Sequence, residues 1–485
     1  MSTHGETPAV TTAADNYKVG TLSYTKSGLL ILFLYLLWGD FCFTIMETVV
    51  PSIMPLKFNA VGAPNWVLGL ILTTIPNLMN TVINPLVSFR SDRFRSRWGR
   101  RIPFLAGATP FLVLFLVLMG YSEPISLWVR STLLAGRSSD LTVFLVVIGF
   151  FMICFQFFNL FITSVYYYLF NDVVPHAFLA RFMALFRMVG TGAGASFSFF
   201  ALKYANTHMK EIFLIAGLLY LVAFVMMCWK VKEGEYPPPP PNLDQRRGWS
   251  STLKTYAVEC FTHRFYWLFF IANTCFAMTW VSGAYGVLAA TRVVGLDLAT
   301  FGKIGGMCGI ISLVLLYPAG IIADRFHPLR VLLISTVLQA LVAPLSITFL
   351  FTRHLLTDTT ALWIFMGLCF SSLPIVTLHA ASELPMFMKL LPQERYGQFC
   401  SANALIRSIG LMVGGLLCGF FLDAVKPFGT EPDQCYRFVP VWNLTWIGIS
   451  GLFYYLLHRE WLRLGGLRDY QPPRLDPSNT EEKSA

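Results

Sequence analysis

The stretch Arg90-Ser91-Asp92-Arg93-Phe94-Arg95-Ser96-Arg97-Trp98-Gly99-Arg100-Arg101 decides how the rest of the chain is read. It holds six arginines and a single acid, with long apolar runs on both sides. Charge this dense is too costly for hydrocarbon, so the stretch is a tight loop between two membrane helices. Arginine-rich short loops stay on the cytoplasmic side, which fixes an expected orientation.

Composition agrees. The 485 residues are 55% hydrophobic and 13% charged, with mean hydropathy +0.60. A soluble domain carries about 25% charged residues. The net charge of +10 sits in short segments between apolar runs, the positive-inside pattern. That argues for a lipid bilayer as partner and against nucleic acid. Ten cysteines are scattered with no CxxC pair, so no disulfide framework, metal site or cofactor is expected. No nucleophile–base cluster or phosphate loop points to an enzyme.

A helix needs about 20 apolar residues to cross a bilayer. Twelve such spans are expected, near 28–56, 65–89, 102–121, 141–170, 179–204, 211–231, 265–291, 300–322, 329–351, 360–390, 397–425 and 440–460. This divides the chain into an N-terminal tail (1–27), a six-helix bundle (28–231), a linker (232–264) with the run Pro237 to Pro241, a second bundle (265–460) and a polar, loose tail (461–485). With the arginine loop inside, both termini are cytoplasmic. The expected fold is an all-α polytopic membrane protein of two pseudo-symmetric six-helix bundles, in the plasma or bacterial inner membrane, and monomeric.

The repeat is visible in short matches. Asp92-Arg93-Phe94 follows span 2 and Asp324-Arg325-Phe326 follows span 8, each after an intrahelical proline, Pro85 or Pro318. Ala184-Leu185-Phe186-Arg187-Met188-Val189-Gly190 in span 5 reads like Ala404-Leu405-Ile406-Arg407-Ser408-Ile409-Gly410 in span 11. Both matches pair span n with span n+6. Repeated bundles of this kind are the architecture of alternating-access carriers, with the solute held at midplane between them.

These motifs resemble the major facilitator superfamily, whose inner gate is an aspartate–arginine loop after spans 2 and 8. The resemblance places Asp92, Arg93, Arg97, Arg100, Asp324 and Arg325 at that gate. More narrowly, Ser91-Asp92-Arg93 through Arg97-Trp98-Gly99-Arg100-Arg101-Ile102-Pro103-Phe104, with Gly39-Asp40 and the Arg187 segment, is similar to glycoside–pentoside–hexuronide symporters and sucrose transporters. It implies a sugar (glycoside, disaccharide or uronide) as the small-molecule solute, moved by symport. The coupling acids differ. Asn80 and Asn84 stand where sodium-using members carry aspartates, so a sodium site is in doubt. Gln156 stands where sucrose transporters carry a proton-coupling aspartate, with Asn159 beside it. An amide bonds a hydroxyl but releases no proton near neutrality.

Ionisable residues inside spans are functional candidates by default. Asp40, Thr44 and Glu47 share one face of span 1, and Asp40 lies about 18 Å along the helix from Gly28. Two carboxylates can accept sugar hydroxyls or carry a proton. Arg187 can fork onto a solute or pair with Asp40. Glu383 and Arg407 suggest a structural or gating pair, while His379, one turn from Glu383, suggests a proton relay. The substrate set is therefore Asp40, Thr44, Glu47, Gln156, Asn159, Arg187, Trp280 and Glu383. The coupling candidates are Asp40, Glu47, His379 and Glu383, with H+ as the ion if transport is coupled; plain facilitated diffusion fits the sequence as well. Gly190-Thr191-Gly192-Ala193-Gly194 and Gly414-Gly415 with Gly419 suggest close helix crossings. Two other readings fit the same chain: a carrier of an amphiphile such as a lysolipid or drug, and a sensor that binds solute without moving it.

Overall fold

The computed structural model describes residues 17–133, 138–235, 260–429 and 431–473; the Pro237–Pro241 run lies outside them, as do the side chains of Asn84, Asp92 and Arg93. Twelve helical spans follow in order. Span 1 is Lys26–Ala60, capped by Thr25, whose hydroxyl accepts from Gly28 N at 3.0 Å. Span 2 runs Asn65–Gly69, through a π turn at Leu70–Thr74, into Ile75–Arg93. Span 3 is Ile102–Gly120, span 4 Asp140–Val173, and span 6 Met209–Lys230. Span 5 is His176–Ser196, prolonged by a π turn at Phe197–Ala201. Span 7 is Arg264–Val281, prolonged through Ser282–Tyr285 and Gly286–Leu288 to Ala289–Val294. Spans 8 to 12 are Leu298–Phe326, Pro328–Thr352, Asp358–Leu390, Tyr396–Val425 and Val439–Arg463.

Eleven of these are long and apolar enough to cross a membrane. Span 12 has the length, 25 residues, but Asn443, three tryptophans, two tyrosines and His458 dilute its apolarity. A helix absent from the sequence reading, Ser122–Thr132, extends beyond span 3. It carries Glu123 and Arg130 between apolar residues, so no 20-residue apolar run marks it.

The two bundles repeat locally in ways the sequence comparison missed. Spans 4 and 10, 34 and 33 residues long, start alike. Ser139 caps Thr142 N and Thr357 caps Thr360 N. The next acid, Asp140 or Asp358, then pairs with an upstream arginine, Arg130 or Arg353. A side-chain cap satisfies one of the four free N–H groups at a helix start, and an acid there suits the helix dipole.

The bundles meet at the end away from the arginine loop. Thr74 Oγ1 in span 2 donates to Met412 O in span 11 at 2.6 Å. At Gly69 a Cβ would lie 2.0 Å from Gly415 O, and at Gly302 it would lie 2.1 Å from Ser198 O. Only glycine permits these two crossings, span 2 on span 11 and span 5 on span 8. Gly419 does the same against Trp66, where its Cβ would lie 2.4 Å from Cα. The apolar core divides accordingly. One cluster joins the first bundle to Tyr285, Leu422, Tyr436 and Trp442 at the far end. A separate one, with Phe265, Leu332, Phe399 and Trp461, fills the arginine-loop end of the second bundle.

The expectation of a loose tail does not hold for residues 461–473; the remainder of that tail lies outside the described residues. Trp461 is fully buried and stacks on His327 at 4.4 Å. Tyr470 donates to Leu390 O at 2.7 Å, and Tyr266 donates to Pro473 O at 3.1 Å. Aromatic rings that bury against the bundle outweigh the polar composition around them. At the other terminus, β1 (Lys18–Val19) pairs with β2 (Leu22–Ser23), and Thr21 Oγ1 accepts from Glu235 N at 2.8 Å.

Candidate substrate site and gates

A cavity of about 360 Å3 opens between spans 1, 2 and 4. Its polar lining is Glu47, Gln156 and Asn159; its walls are apolar, including Val50, Ile71, Met152 and Phe155. Asn159 Nδ2 donates to Glu47 Oε1 at 3.2 Å. Asn159 Oδ1 is buried without a partner. The i, i+3 spacing of Gln156 and Asn159 presents both amides to this space.

Asp40 does not line that cavity. It lies two turns nearer the arginine-loop end and is 1% exposed. A Cβ on Gly190 would stand 3.5 Å from Asp40 Oδ2 and 3.4 Å from Thr44 Oγ1, so span 5 presses its small residue onto this face of span 1. Asp40 Oδ2 has no hydrogen-bond partner, and Asp40 forms no ion pair among the described residues. The suggested Asp40–Arg187 pair is absent. Arg187 is exposed, and no acceptor meets its guanidinium among the described residues. Tyr167 was missed in the sequence reading. It is 44% exposed and lies within electrostatic reach of Asp40, Glu47 and Arg187. Its signal was its place two turns after Asn159, on the same face as Thr163.

The second bundle is arranged differently. Arg407 Nη1 donates to Glu383 Oε1 at 2.9 Å, and both side chains are about a third exposed. His379 is buried away from this pair. Its ring stacks on Phe276 at 3.5 Å, and Nδ1 meets Ser335 Oγ at 3.1 Å. One helical turn separates His379 from Glu383, but the histidine turns to spans 7 and 9 and the glutamate to span 11. Trp280 is 61% exposed and makes no ring contact among the described residues. Asn80 is half-buried.

The arginine loop is braced within its own bundle. Arg100 forks onto Asp172 at the end of span 4, with contacts of 2.9 and 2.5 Å. Arg101 Nε reaches the same carboxylate at 3.1 Å, and its guanidinium lies 5.0 Å over the Tyr168 ring. Glu233, the first acid of the linker, caps span 3: it accepts from the N–H groups of Arg100, Arg101 and Ile102 at 2.9, 2.8 and 2.7 Å. Gly99 turns the loop at φ +103 against that glutamate. Arg97 lies over Trp98. The second copy is barer: Asp324 and Arg325 are exposed, and among the described residues neither forms an ion pair, while Arg325 lies over the Phe326 ring.

At the far end two acids of the second bundle, Asp423 and Asp433, join the bundles. Asp423 of span 11 accepts from Asn65 N, Asn65 Nδ2 and Trp66 N at 3.1, 3.1 and 2.9 Å, capping span 2 from across the interface. Lys426 Nζ lies 2.6 Å from the same carboxylate. Tyr285 donates to Asn65 O and Tyr436 to Asn65 Oδ1. Asn59 donates to Asp433 at 2.9 Å, and Arg292 donates to Asn59 at 3.1 Å.

Two six-helix bundles, latched at one end around buried polar groups, define a membrane carrier. The chain belongs to the Major Facilitator Superfamily, whose sequence profile matches residues 29–415. Among solved structures, it is similar to a bacterial homolog of the human lysosomal transporter Spinster in its inward-facing, occupied conformation. Identity is 14%, coverage 93% of this chain and 100% of that one, and TM-score 0.66. A bacterial homologue of the iron transporter ferroportin in its inward-facing state matches at 13% identity, 88% and 99% coverage and TM-score 0.62. A D-xylose–proton symporter matches at 13%, 88% and 97%, with TM-score 0.61. The protein is thus a multi-pass transporter of a small-molecule solute rather than an enzyme.

Proposed function

We propose that the solute is a sugar (a glycoside, disaccharide or uronide), carried by alternating access. The supporting observation is a pair of acceptors in the first bundle left without donors: Asp40 Oδ2 and Asn159 Oδ1 are both buried and unpartnered, as is Asn403 Oδ1 in span 11. Buried polar oxygens without partners are rare and costly, and a polyhydroxyl solute supplies many O–H donors. Glu47 and Gln156 add acceptors and an amide donor, and Arg187 and Tyr167 add exposed donors from spans 5 and 4. The cavity volume of about 360 Å3 falls in the range of small-molecule sites, about 300–1,000 Å3. The resemblance to glycoside symporters and sucrose transporters leads the same way.

Where an ion is coupled, it is the proton, carried by Asp40, Glu47 or Glu383. Asn80 and Asn84 cannot neutralise a sodium ion. His379 is the weaker member of the coupling set: its ring stacks on Phe276 and its Nδ1 meets Ser335, which leaves the buried Nε2 as its one unpartnered nitrogen. The inner side faces the cytoplasm with the arginine loop.

The mostly apolar wall of the cavity supports a second reading, an amphiphile as solute. Counterflow in proteoliposomes separates the two. Sugars that drive exchange, with no competition from detergent-like solutes, establish the first reading. Sugar-insensitive flux blocked by lysolipids establishes the second. Binding without flux would make the protein a sensor. Asp40→Asn should abolish sugar uptake; undiminished uptake removes Asp40 from the site.

A further inference from the structure

A second cavity, about 410 Å3, lies outside the proposed solute path, at the far end of the first bundle. It is lined by charges of both signs: Lys57, Lys210, Glu123 and Glu211, with Asn206 and Thr207 beside them. Among the described residues, none of the four charges forms an ion pair with another protein group. The two acids have a local reason, since each sits in the first turn of its helix, where the helix dipole favours a negative charge.

Lys57 has a weaker one. Its side chain is 6% exposed. Its ammonium donates only to Gly120 O, at 3.5 Å, and stands 5.7 Å from the Phe144 ring. A carbonyl at that distance, a ring face and Glu123 at longer range leave a desolvated ammonium without a close ion-pair partner among the described residues. Buried charges persist when they are paired. Lys210, on the exposed rim, stands 5.9 Å from the Tyr121 ring. A helix beside the cavity, Ser122–Thr132, shows Leu127 and Trp128 to the surroundings, 54% and 59% exposed. Exposed tryptophan and leucine at the end of a span are typical of the bilayer interface, where headgroups are at hand.

We propose that this cavity binds a zwitterionic phosphoethanolamine-type group, its phosphate on Lys57 and Lys210 and its ammonium on Glu123 and Glu211. The assignment is independent of the solute that the carrier moves. Lysine is a compact point charge suited to phosphate, and two unpaired carboxylates across one cavity suit a primary ammonium. A purely anionic ligand would meet both glutamates, and a purely cationic one would meet Lys57.

The full chain in phosphatidylcholine nanodiscs, doped with phosphatidylethanolamine or phosphatidylglycerol, tests this by native mass spectrometry of retained lipid. Phosphatidylethanolamine should be retained over phosphatidylglycerol, and Lys57→Gln should reduce retention about tenfold. Lys210→Gln, on the exposed rim and harmless to folding, should reduce it in the same direction. The Glu123→Gln/Glu211→Gln pair should remove the preference for phosphatidylethanolamine. A thermal shift with free phosphoethanolamine in detergent, lost in Lys57→Gln, would give a soluble source for the same chemistry; retention of the lipid without that shift gives the membrane source. Equal retention of the two lipids, or retention unchanged in both lysine variants, overturns the proposal.

Discussion

The two bundles carry the same arginine at matching places and use it in opposite ways. In the first, Arg187 is exposed and without an acceptor among the described residues, near a buried Asp40 whose Oδ2 is also unpartnered. In the second, Arg407 is held by Glu383 at 2.9 Å, and the histidine one turn away is packed under Phe276. At this pair of positions the first bundle leaves its arginine without an acceptor and the second has committed it to the fold, although His379 Nε2 and Asn403 Oδ1 of the second bundle are also buried without partners. The two aspartate–arginine loops show a complementary asymmetry. The first is tied to Asp172 and Glu233, and its copy at Asp324-Arg325 forms no ion pair among the described residues.

The largest expected effect comes from exchanging that difference. Arg187→Gln should reduce sugar uptake about 100-fold, the loss of a charge-assisted bond or two to solute. Arg407→Gln should change uptake far less, and stability by about 1 kcal/mol or under, since a pair this open to solvent is screened. Equal losses in uptake would erase the distinction between the halves. Next in size, valine at Gly302 or Gly415 should hold the far end open. Each crossing admits no side chain, and the backbone would have to shift by roughly an ångström. Spin-label distances across the far end should widen in both variants; widening in only one would make a single crossing the hinge.

A smaller effect separates two helix caps. Asp423 caps span 2 from the opposite bundle, while Asp297 caps Thr300 of its own span 8. Either change to alanine should cost about 0.5–2 kcal/mol of local stability. Only Asp423→Ala should also shift the population toward an open far end, because only that cap exists solely when the bundles meet. Labelling of a cysteine placed in the far-end interface measures the shift.

Much of the fold was legible because its rules are short-range. Apolar run length and arginine placement gave the spans, and the Asp-Arg-Phe and Arg187/Arg407 matches gave the repeat. Close crossings were legible at Gly414-Gly415 and Gly419, since a glycine cluster in a span has few other uses. The site was legible only in part. Asp40 and Glu47 share a helix face, yet two turns of rise put one in a sealed crevice against Gly190 and the other in the open cavity. No one-dimensional pattern carries that depth. Glu233, Asp172 and Asp423 act on helix ends distant in sequence, and Tyr167 sat in a run of three tyrosines of which Tyr166 is fully buried. The tail from Trp461 was misread because polarity was averaged over residues whose few rings do the packing.

The smallest expected effect distinguishes the two aspartate–arginine turns by pH. The first bundle spends eight residues, 94–101, between spans 2 and 3, with Gly99 supplying the positive φ. The second turns on one residue, His327, which holds φ +67 without being glycine. Its ring lies on Trp461, and its Nδ1 is buried without a partner. Burial, with Lys389, Arg330 and His458 nearby, lowers its pKa from 6.5 to about 4. The folded turn thus keeps the ring neutral where an opened turn would protonate it. Its contribution to stability is present above about pH 6.5 and is lost as pH falls toward 4. Protection from hydrogen exchange, corrected for the intrinsic pH dependence of amide exchange, should fall at the adjoining ends of spans 8, 9 and 12 between pH 7 and about 5, while the first loop, which contains no histidine, should show no matching step. His327→Gly keeps the positive φ at no steric cost and removes the titrating group. It should flatten the pH dependence at the second turn. If the loss of protection persists in that variant, the sensitivity arises from another group and His327 is only a turn residue.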